Sequence, residues 1–271
     1  MARVNRILVA LVLVCATQVA PPAAAQPTPD EQAAFLSTAK VIATAPIGKG
    51  VTKPLRLTLT DGTITHDAAF QSVNQERPMS RTGRNGAVEL KFVDSWRFNI
   101  AAHRLAVLLG IGDMVPVSVE RKWDGKTGAL TWWVDDVLMD EMERRKAAAE
   151  PPDRDDWTRQ QLRMRVFTQL AYDTDRNQGN MLITKTWRLV MIDFSRAFRS
   201  WDKLPEPLTT LRRCDRALLA AMRRLTKESV QNATGKYLTT FEVEALLERR
   251  DILVAHFDAL IAATGESNVL Y

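Results

Sequence analysis

Cysteine is scarce in this chain, with only Cys15 and Cys214 among 271 residues. The first falls in a segment that reads as removable, so no internal disulfide is expected and the fold has to stand on its core. A chain of this length, 46% hydrophobic and 25% charged, holds enough apolar material for that and suits one two-lobed domain or two small ones. Also missing is a bilayer-spanning run: the uncharged apolar stretch Ile7 to Ala20 holds about 14 residues, against the roughly 20 that a spanning helix needs. No internal repeat or low-complexity tract is evident. Positive charge does not gather into a nucleic-acid footprint either. Arg144-Arg145-Lys146, Arg212-Arg213 and Arg249-Arg250 are short, are separated by acids and read as solvated helix faces.

Arg3 and Arg6 precede the apolar stretch, and Ala23-Ala24-Ala25 before Gln26 offers a small-residue cleavage site, so residues 1–25 read as a secretory signal. A lipoprotein reading of Cys15 is poor, because Val14 is larger than the residue expected there. Cleavage removes two of the 37 basic residues and none of the 32 acidic ones, taking the net charge from +5 to +3. The mature chain is expected to be exported, periplasmic or secreted, with no transmembrane helix and no nucleic-acid partner.

The densest chemistry lies in Asp175-Arg176-Asn177-Gln178-Gly179-Asn180, with Asp193 thirteen residues further on in Val190-Met191-Ile192-Asp193-Phe194. An Asp with an Asn five positions later, then an apolar strand delivering a second Asp, supplies a base and two metal ligands for phosphoryl transfer. Mg²⁺ is hard and octahedral, so the carboxylate of Asp193 and the amide oxygen of Asn180 suit it beside waters and phosphates. Asp175 would orient the attacking hydroxyl or accept its proton. The flanks match. Apolar residues at helical spacing run from Trp157 to Tyr172, and a hairpin follows from Met181 through Thr184–Trp187 to Arg188–Ile192.

These residues resemble the catalytic and metal loops of the phosphatidylinositol 3- and 4-kinase-like branch of the protein-kinase superfamily, which is itself similar to the HipA kinases and the secreted atypical kinases. Asn99-Ile100-Ala101-Ala102-His103-Arg104-Leu105, with Leu108-Leu109-Gly110 and Val115-Pro116-Val117, extends the resemblance, which spans about residues 40 to 260. It implies an α+β, two-lobed kinase-like fold: a small antiparallel sheet lobe with one helix, residues 40–134, and a mainly helical large lobe, residues 135–271. Residues 26–39 form a tail and short helix. ATP and Mg²⁺ are implied as cofactors, with an unknown protein, lipid or small-molecule acceptor.

Within the small lobe, Lys40–Ile47, Pro54–Thr60 and Ile64–Val73 are β-like, and Asp61-Gly62 marks a hairpin. The turn containing Gly48 and Gly50 could cover phosphates with backbone N–H groups, although it lacks a full G-x-G-x-x-G. Asn74 to Gly86 reads as a flexible polar insertion, Asp94–Leu109 as a helix, and Met114–Lys122 with Ala129–Val134 as a strand pair joined by Asp124-Gly125. The hinge falls at Asp135-Asp136-Val137.

One departure from the family pattern stands out. Kinases place a Lys on the third strand and pair it with a Glu on the next helix. Here the corresponding positions hold Gln71 and Asn99, both neutral, which should then face each other at hydrogen-bonding range. Lys91, and more weakly Lys53 and Lys49, are the candidate replacements on the phosphate. Two classes follow: an active exported kinase, or a pseudokinase that binds nucleotide or a protein partner. A third reading has the carboxylates binding Ca²⁺ or capping turns.

Overall fold

The structure is a computed structural model that describes residues 27–48, 54–80 and 88–271. The expected signal, residues 1–25, lies outside the described residues, as do Lys49, Gly50 and Lys53.

The first helix, α1 (Pro29–Thr38), starts where Thr28 and Glu31 cap each other's backbone N–H groups and Pro29 fills the first turn. Strands β1 (Lys40–Pro46), β2 (Leu55–Thr60) and β3 (Thr65–Gln71) follow. The β2–β3 turn closes because Asp61 Oδ1 accepts from the amides of Thr63 and Ile64 at 2.8 and 2.9 Å, while Gly62 takes φ +92°. Two later strands, β6 (Ser118–Trp123) and β7 (Lys126–Trp132), complete an antiparallel sheet in the order β1-β2-β3-β7-β6. Alternation along β2 and β3 sends Leu57, Leu59, Ala68 and Phe70 onto Phe35 and Leu36 of α1, with Leu130 and Trp132 beside them. Arg121 of β6 pins α1 by donating to the carbonyls of Leu36 and Ala39 at 2.5 Å.

Two sequence expectations are corrected between these strands. The stretch read as a flexible insertion is, over Asn74–Ser80, a strand (β4) paired antiparallel with β5 (Glu89–Ser95). All of β4 except Ser80 is exposed, so no buried face marked it in the sequence. The following helix, α2, spans Arg97–Leu108 and not Asp94–Leu109. Asp94 and Ser95 finish β5 instead, held extended as Ser95 N donates to Ser195 O at 2.8 Å and Trp96 N to Val73 O at 2.7 Å.

The chain leaves the five-stranded sheet at Trp132 and enters β8 (Val137–Asp140), which pairs with β9 (Met181–Thr184). With β10 (Leu189–Met191) these form a small sheet in the order β10-β9-β8. The rest is helical: α3 (Glu141–Ala147), α4 (Arg154–Leu170), α5 (Arg216–Arg224), α6 (Lys227–Thr234), α7 (Thr240–Thr264) and α8 (Glu266–Val269). Asp153 caps α4, and a reciprocal Thr239–Glu242 box caps α7. The large core joins α2 to α4, α5 and α7 through Phe98, Leu105, Phe167, Leu219 and Phe257. The second lobe therefore grips the back of the small-lobe helix.

Arg249 corrects the solvated-face reading. It is fully buried and donates to the carbonyls of Leu170, Arg199 and Trp201 at 2.9, 3.0 and 2.5 Å. Burial pulls its pKa down to about 10. Three carbonyl acceptors offset part of the cost of sinking that charge, and they tie the end of α4 to the 199–201 segment. Among the described residues no helix is long and apolar enough to cross a membrane.

Candidate active site

The loop after α4 is built around a buried ion pair, not around its half-buried carboxylate, Asp175. Asp173 is inaccessible, and the side chain of Arg176 is 6% exposed. Arg176 Nε donates to Asp173 Oδ2 at 2.8 Å, and its Nη1 reaches Asn180 O at 2.8 Å and Ile192 O at 2.6 Å. The guanidinium lies 4.2 Å from the centroid of Phe194. One side chain thus fastens the Asp175 loop to the strand end carrying Asp193. A buried pair of this kind matters most for what its removal would strand.

On that frame, Asp175 O accepts from Asn177 N at 2.7 Å and from Asn180 Nδ2 at 3.2 Å. Since the Asn180 amide nitrogen donates to Asp175 O, Oδ1 is the atom left to the side chain, an oxygen of the hard kind that Mg²⁺ prefers. The backbone of Asn180 accepts from Ile192 N at 3.0 Å, which closes the hairpin against the strand end that carries Asp193. Asp193 follows β10 with φ +54°, a left-handed turn that Asp tolerates better than most side chains.

Gln71 and Asn99 do meet. Asn99 Nδ2 donates to Gln71 Oε1 at 2.6 Å, Asn99 Oδ1 accepts from Phe194 N at 2.8 Å, and Gln71 Nε2 points to Asp193 Oδ1 at 3.4 Å. Both side chains are buried. They form a neutral line of hydrogen bonds from the small-lobe sheet through α2 to the Asp193 segment. Gly128 on β7 keeps this strand close, for a Cβ there would lie 2.5 Å from Gln71 O and 2.9 Å from the Phe70 ring.

Burial raises the pKa of Asp175 above the ordinary carboxylate range; Arg196 opposes this, and the charges of Asp193 and Asp173 add to it. A raised carboxylate is a better proton acceptor, and it stays ionised only above a correspondingly higher pH. Asp94, which the sequence reading placed at a helix start, is a further acid here. Burial raises its pKa and Asp193 adds to the shift, while the Ser195 hydroxyl, Arg196 and Arg199 oppose it. Its Oδ1 is buried and without a hydrogen-bond partner, an atom that suits a bound cation or its water. The signal for Asp94 was the alternation of Val88 to Phe92, which continues two residues further than expected.

Other candidates stand apart. Lys91 does not join the carboxylates: its Nζ lies 5.0 Å above the ring of Trp201, in a cleft lined by Phe92, Trp201 and Phe241 that none of Asp175, Asn180, Asp193, Gln71 or Asn99 lines. The cause is local. Pro78 has no N–H to give to the ladder, the pairing skips from Arg77–Phe92 to Met79–Leu90, and Lys91 takes φ +49°. Gly48 ends the described part of the first turn with φ +74° and open space around it.

Among the described residues, no three His, Cys, Asp or Glu side chains gather as a metal cage. Mg²⁺ is ordinarily held by one or two protein groups with water and phosphate, so Asp193 and Asn180 Oδ1 fit it.

A small antiparallel sheet lobe and a helical lobe, meeting where Gln71, Asn99, Asn180 and Asp193 converge, define a kinase-like α+β fold. Solved structures agree. The chain is similar to a Fam20 protein of hydra solved with sugar, with a TM-score of 0.65 and 14% identity over 89% of this chain and 91% of that one. It is also similar to the Golgi casein kinase with Mn/ADP bound, with a TM-score of 0.63 and 11% identity over 89% and 78%. A third likeness is to CtkA, a proinflammatory kinase of Helicobacter pylori, with a TM-score of 0.55 and 12% identity over 84% and 98%. By sequence, no protein family and no curated protein matches it.

Proposed function

We propose that the chain is an exported atypical kinase that moves phosphate from Mg-ATP to a hydroxyl acceptor, with Asp175 as base and Asn180 and Asp193 as metal ligands. The observation that carries this reading is the convergence on Asp193 of both lobes: Gln71 and Asn99 from one side, and the Arg176-braced loop from the other. Phosphoryl transfer asks mainly for positioning and charge, and that is what this frame supplies. The likeness to a casein kinase solved with Mn/ADP supports a nucleotide and a divalent ion here. When bound, Mg²⁺ would neutralise phosphate charge. The protein's own part is to hold Asn180 Oδ1 and Asp193 in place and keep Asp175 aimed at the acceptor.

Titrating ATP into the protein calorimetrically, with and without Mg²⁺, tests this. Binding that requires the divalent ion, and Mn²⁺ as a working substitute, is the expected result; heat changes absent under both conditions would refute it.

The neutral Gln71–Asn99 pair favours a second reading, a pseudokinase that binds nucleotide or a protein without transfer. Export is part of the proposal and rests on residues 1–25 alone. The mature protein should begin at Gln26, and an exported product whose intact mass includes Met1 or Ala2 would overturn that.

A further inference from the structure

Residues 133–136 carry the chain from β7 in the five-stranded sheet to β8 in the three-stranded one, and two adjacent carboxylates hold this link from opposite sides. Asp136, at φ +53°, is bound twice by Lys185 of the β9–β10 turn: Lys185 Nζ donates to its Oδ1 and Lys185 N to its carbonyl, both at 2.8 Å. Asp135 turns to the other lobe. Its Oδ2 lies 2.8 Å from Nε2 of His66 on β3. The other ring nitrogen, Nδ1, lies 2.7 Å from Asp67 O, a carbonyl that also accepts from Trp133 N at 3.2 Å. The imidazole is stacked on Trp132 of β7, with centroids 3.7 Å apart and planes inclined by 16°, and Phe35 of α1 meets the same indole edge-on. Of the remaining charges, the Asp67 carboxylate also acts on His66, but it is bound by Arg56 Nε of β2 at 2.8 Å and Thr58 Oγ1 at 2.6 Å. Both nitrogens of His66 therefore face oxygens that only accept. A neutral imidazole has one N–H to give and the imidazolium has two, so the charged ring alone completes both bonds.

We propose that His66 is a positioning residue: its imidazolium clasps β3 to the link between the lobes, and loss of that proton slackens the strand that carries Gln71 to the site. The effect on nucleotide rests on the phosphotransferase reading above. β3 runs from Thr65 to Gln71, and Gln71 at its far end bonds Asn99 and points to Asp193 Oδ1. The strand is thus fastened at both ends, to Asp135 by His66 and to the Asp193 segment by Gln71, and phosphoryl transfer depends on just such positioning. The sign follows from the hydrogens. The clasp is complete with the ring protonated, so its contribution is present at acid pH and is lost as the pH rises through the range in which histidine changes charge, about pH 5 to 8. The Asp136–Lys185 contact on the other side of the link keeps its charges throughout that range.

The test is a double-mutant cycle on the mature chain, His66→Gln with Asp135→Asn, read by melting at about pH 6 and about pH 8. Near pH 6 each single change should lower the melting temperature and the double change should lower it no further than the worse single; near pH 8 the coupling should vanish. Calorimetry with the Mg complex of a non-hydrolysable ATP analogue supplies the second readout. The wild type should bind it about two- to fivefold more tightly than His66→Gln near pH 6 and equally near pH 8, the size expected of a pair whose carboxylate side chain is 50% exposed. A coupling of equal size at both pH values would make the contact merely structural and overturn the proposal, as would none at either. A coupling that fades with pH while the affinity ratio stays at one overturns the positioning role. Should His66→Gln fail to fold, Asp135→Asn carries both readouts alone, and its deficit against the wild type should fade in the same way. A wild type that binds no nucleotide at either pH overturns the phosphotransferase reading, and the melting cycle still decides the clasp.

Discussion

Replacing Asp193 with Asn should abolish Mg²⁺-dependent nucleotide binding and leave the fold standing. The carboxylate is half-buried, and its hydrogen bonds to Gln71 Nε2 and Ser195 N are long, 3.4 Å each, so replacing it by an amide of the same shape disturbs the packing little. Asn also tolerates the φ of +54°. Ala at the same position would add a backbone cost of about 1 kcal/mol that has nothing to do with the metal. Altering residues that merely support a metal ligand lowers metal affinity roughly 10- to 100-fold, so losing the ligand itself should cost at least that. Titrated calorimetrically, the variant with Mg²⁺ should behave as the wild type does without it, with no gain when Mg²⁺ is added. An unchanged Mg²⁺ response would end the assignment of Asp193. Asp175→Asn supplies the contrast. It should bind Mg-ATP normally and lose transfer by about 10²- to 10⁴-fold, since a base is needed only when the hydroxyl attacks.

The parts of this site that were legible in the sequence are those whose chemistry is local. Asp175 and Asn180 lie in the loop after α4 and Asp193 just past the β9–β10 hairpin, and each element that places them has its own signal: the apolar spacing of α4, the Asn177-Gln178-Gly179 turn, and the short strands around Trp187. The meeting of Gln71 and Asn99 was legible only by counting strands and helices against the kinase pattern. What stayed hidden depends on partners distant in sequence. β4 is a strand because β5 gives it a ladder, and its own residues carry no buried face. Asp94 belongs to the site because Ser95 is tied to Ser195, a contact across a hundred residues. Lys91 read as a phosphate ligand from its place before the helix, and its ammonium lies over the ring of Trp201, a partner 110 positions away that no local pattern announces. Arg176 read as part of a motif, whereas it is the buried brace of the whole loop.

The paired substitution Gln71→Lys with Asn99→Glu should raise Mg-nucleotide affinity or phosphoryl transfer beyond the sum of the single changes. The geometry prepares for it. Gln71 Oε1 and Asn99 Nδ2 already meet at 2.6 Å, and Gln71 Nε2 lies 3.4 Å from Asp193 Oδ1, so a lysine ammonium at 71 would stand between a new carboxylate and the metal ligand. Glu at 99 could still accept from Phe194 N, which now bonds Asn99 Oδ1 at 2.8 Å. Each single change places one unpaired charge in a buried line, at a cost on the order of 3 kcal/mol, and should lower the melting temperature. The double change pairs those charges, so stability should recover in part. The coupling between the two positions, read as a double-mutant cycle on both melting and nucleotide affinity, should then be large and favourable. Recovery of nucleotide affinity with transfer would mark the neutral pair as the reason for a silent site, the pseudokinase reading. A wild type that already transfers phosphate, with the double variant no better, would show that the chain works without the ion pair and draws its phosphate-binding charge from elsewhere. Melting and affinity changes that simply add would deny any partnership between Gln71 and Asn99, whatever their distance.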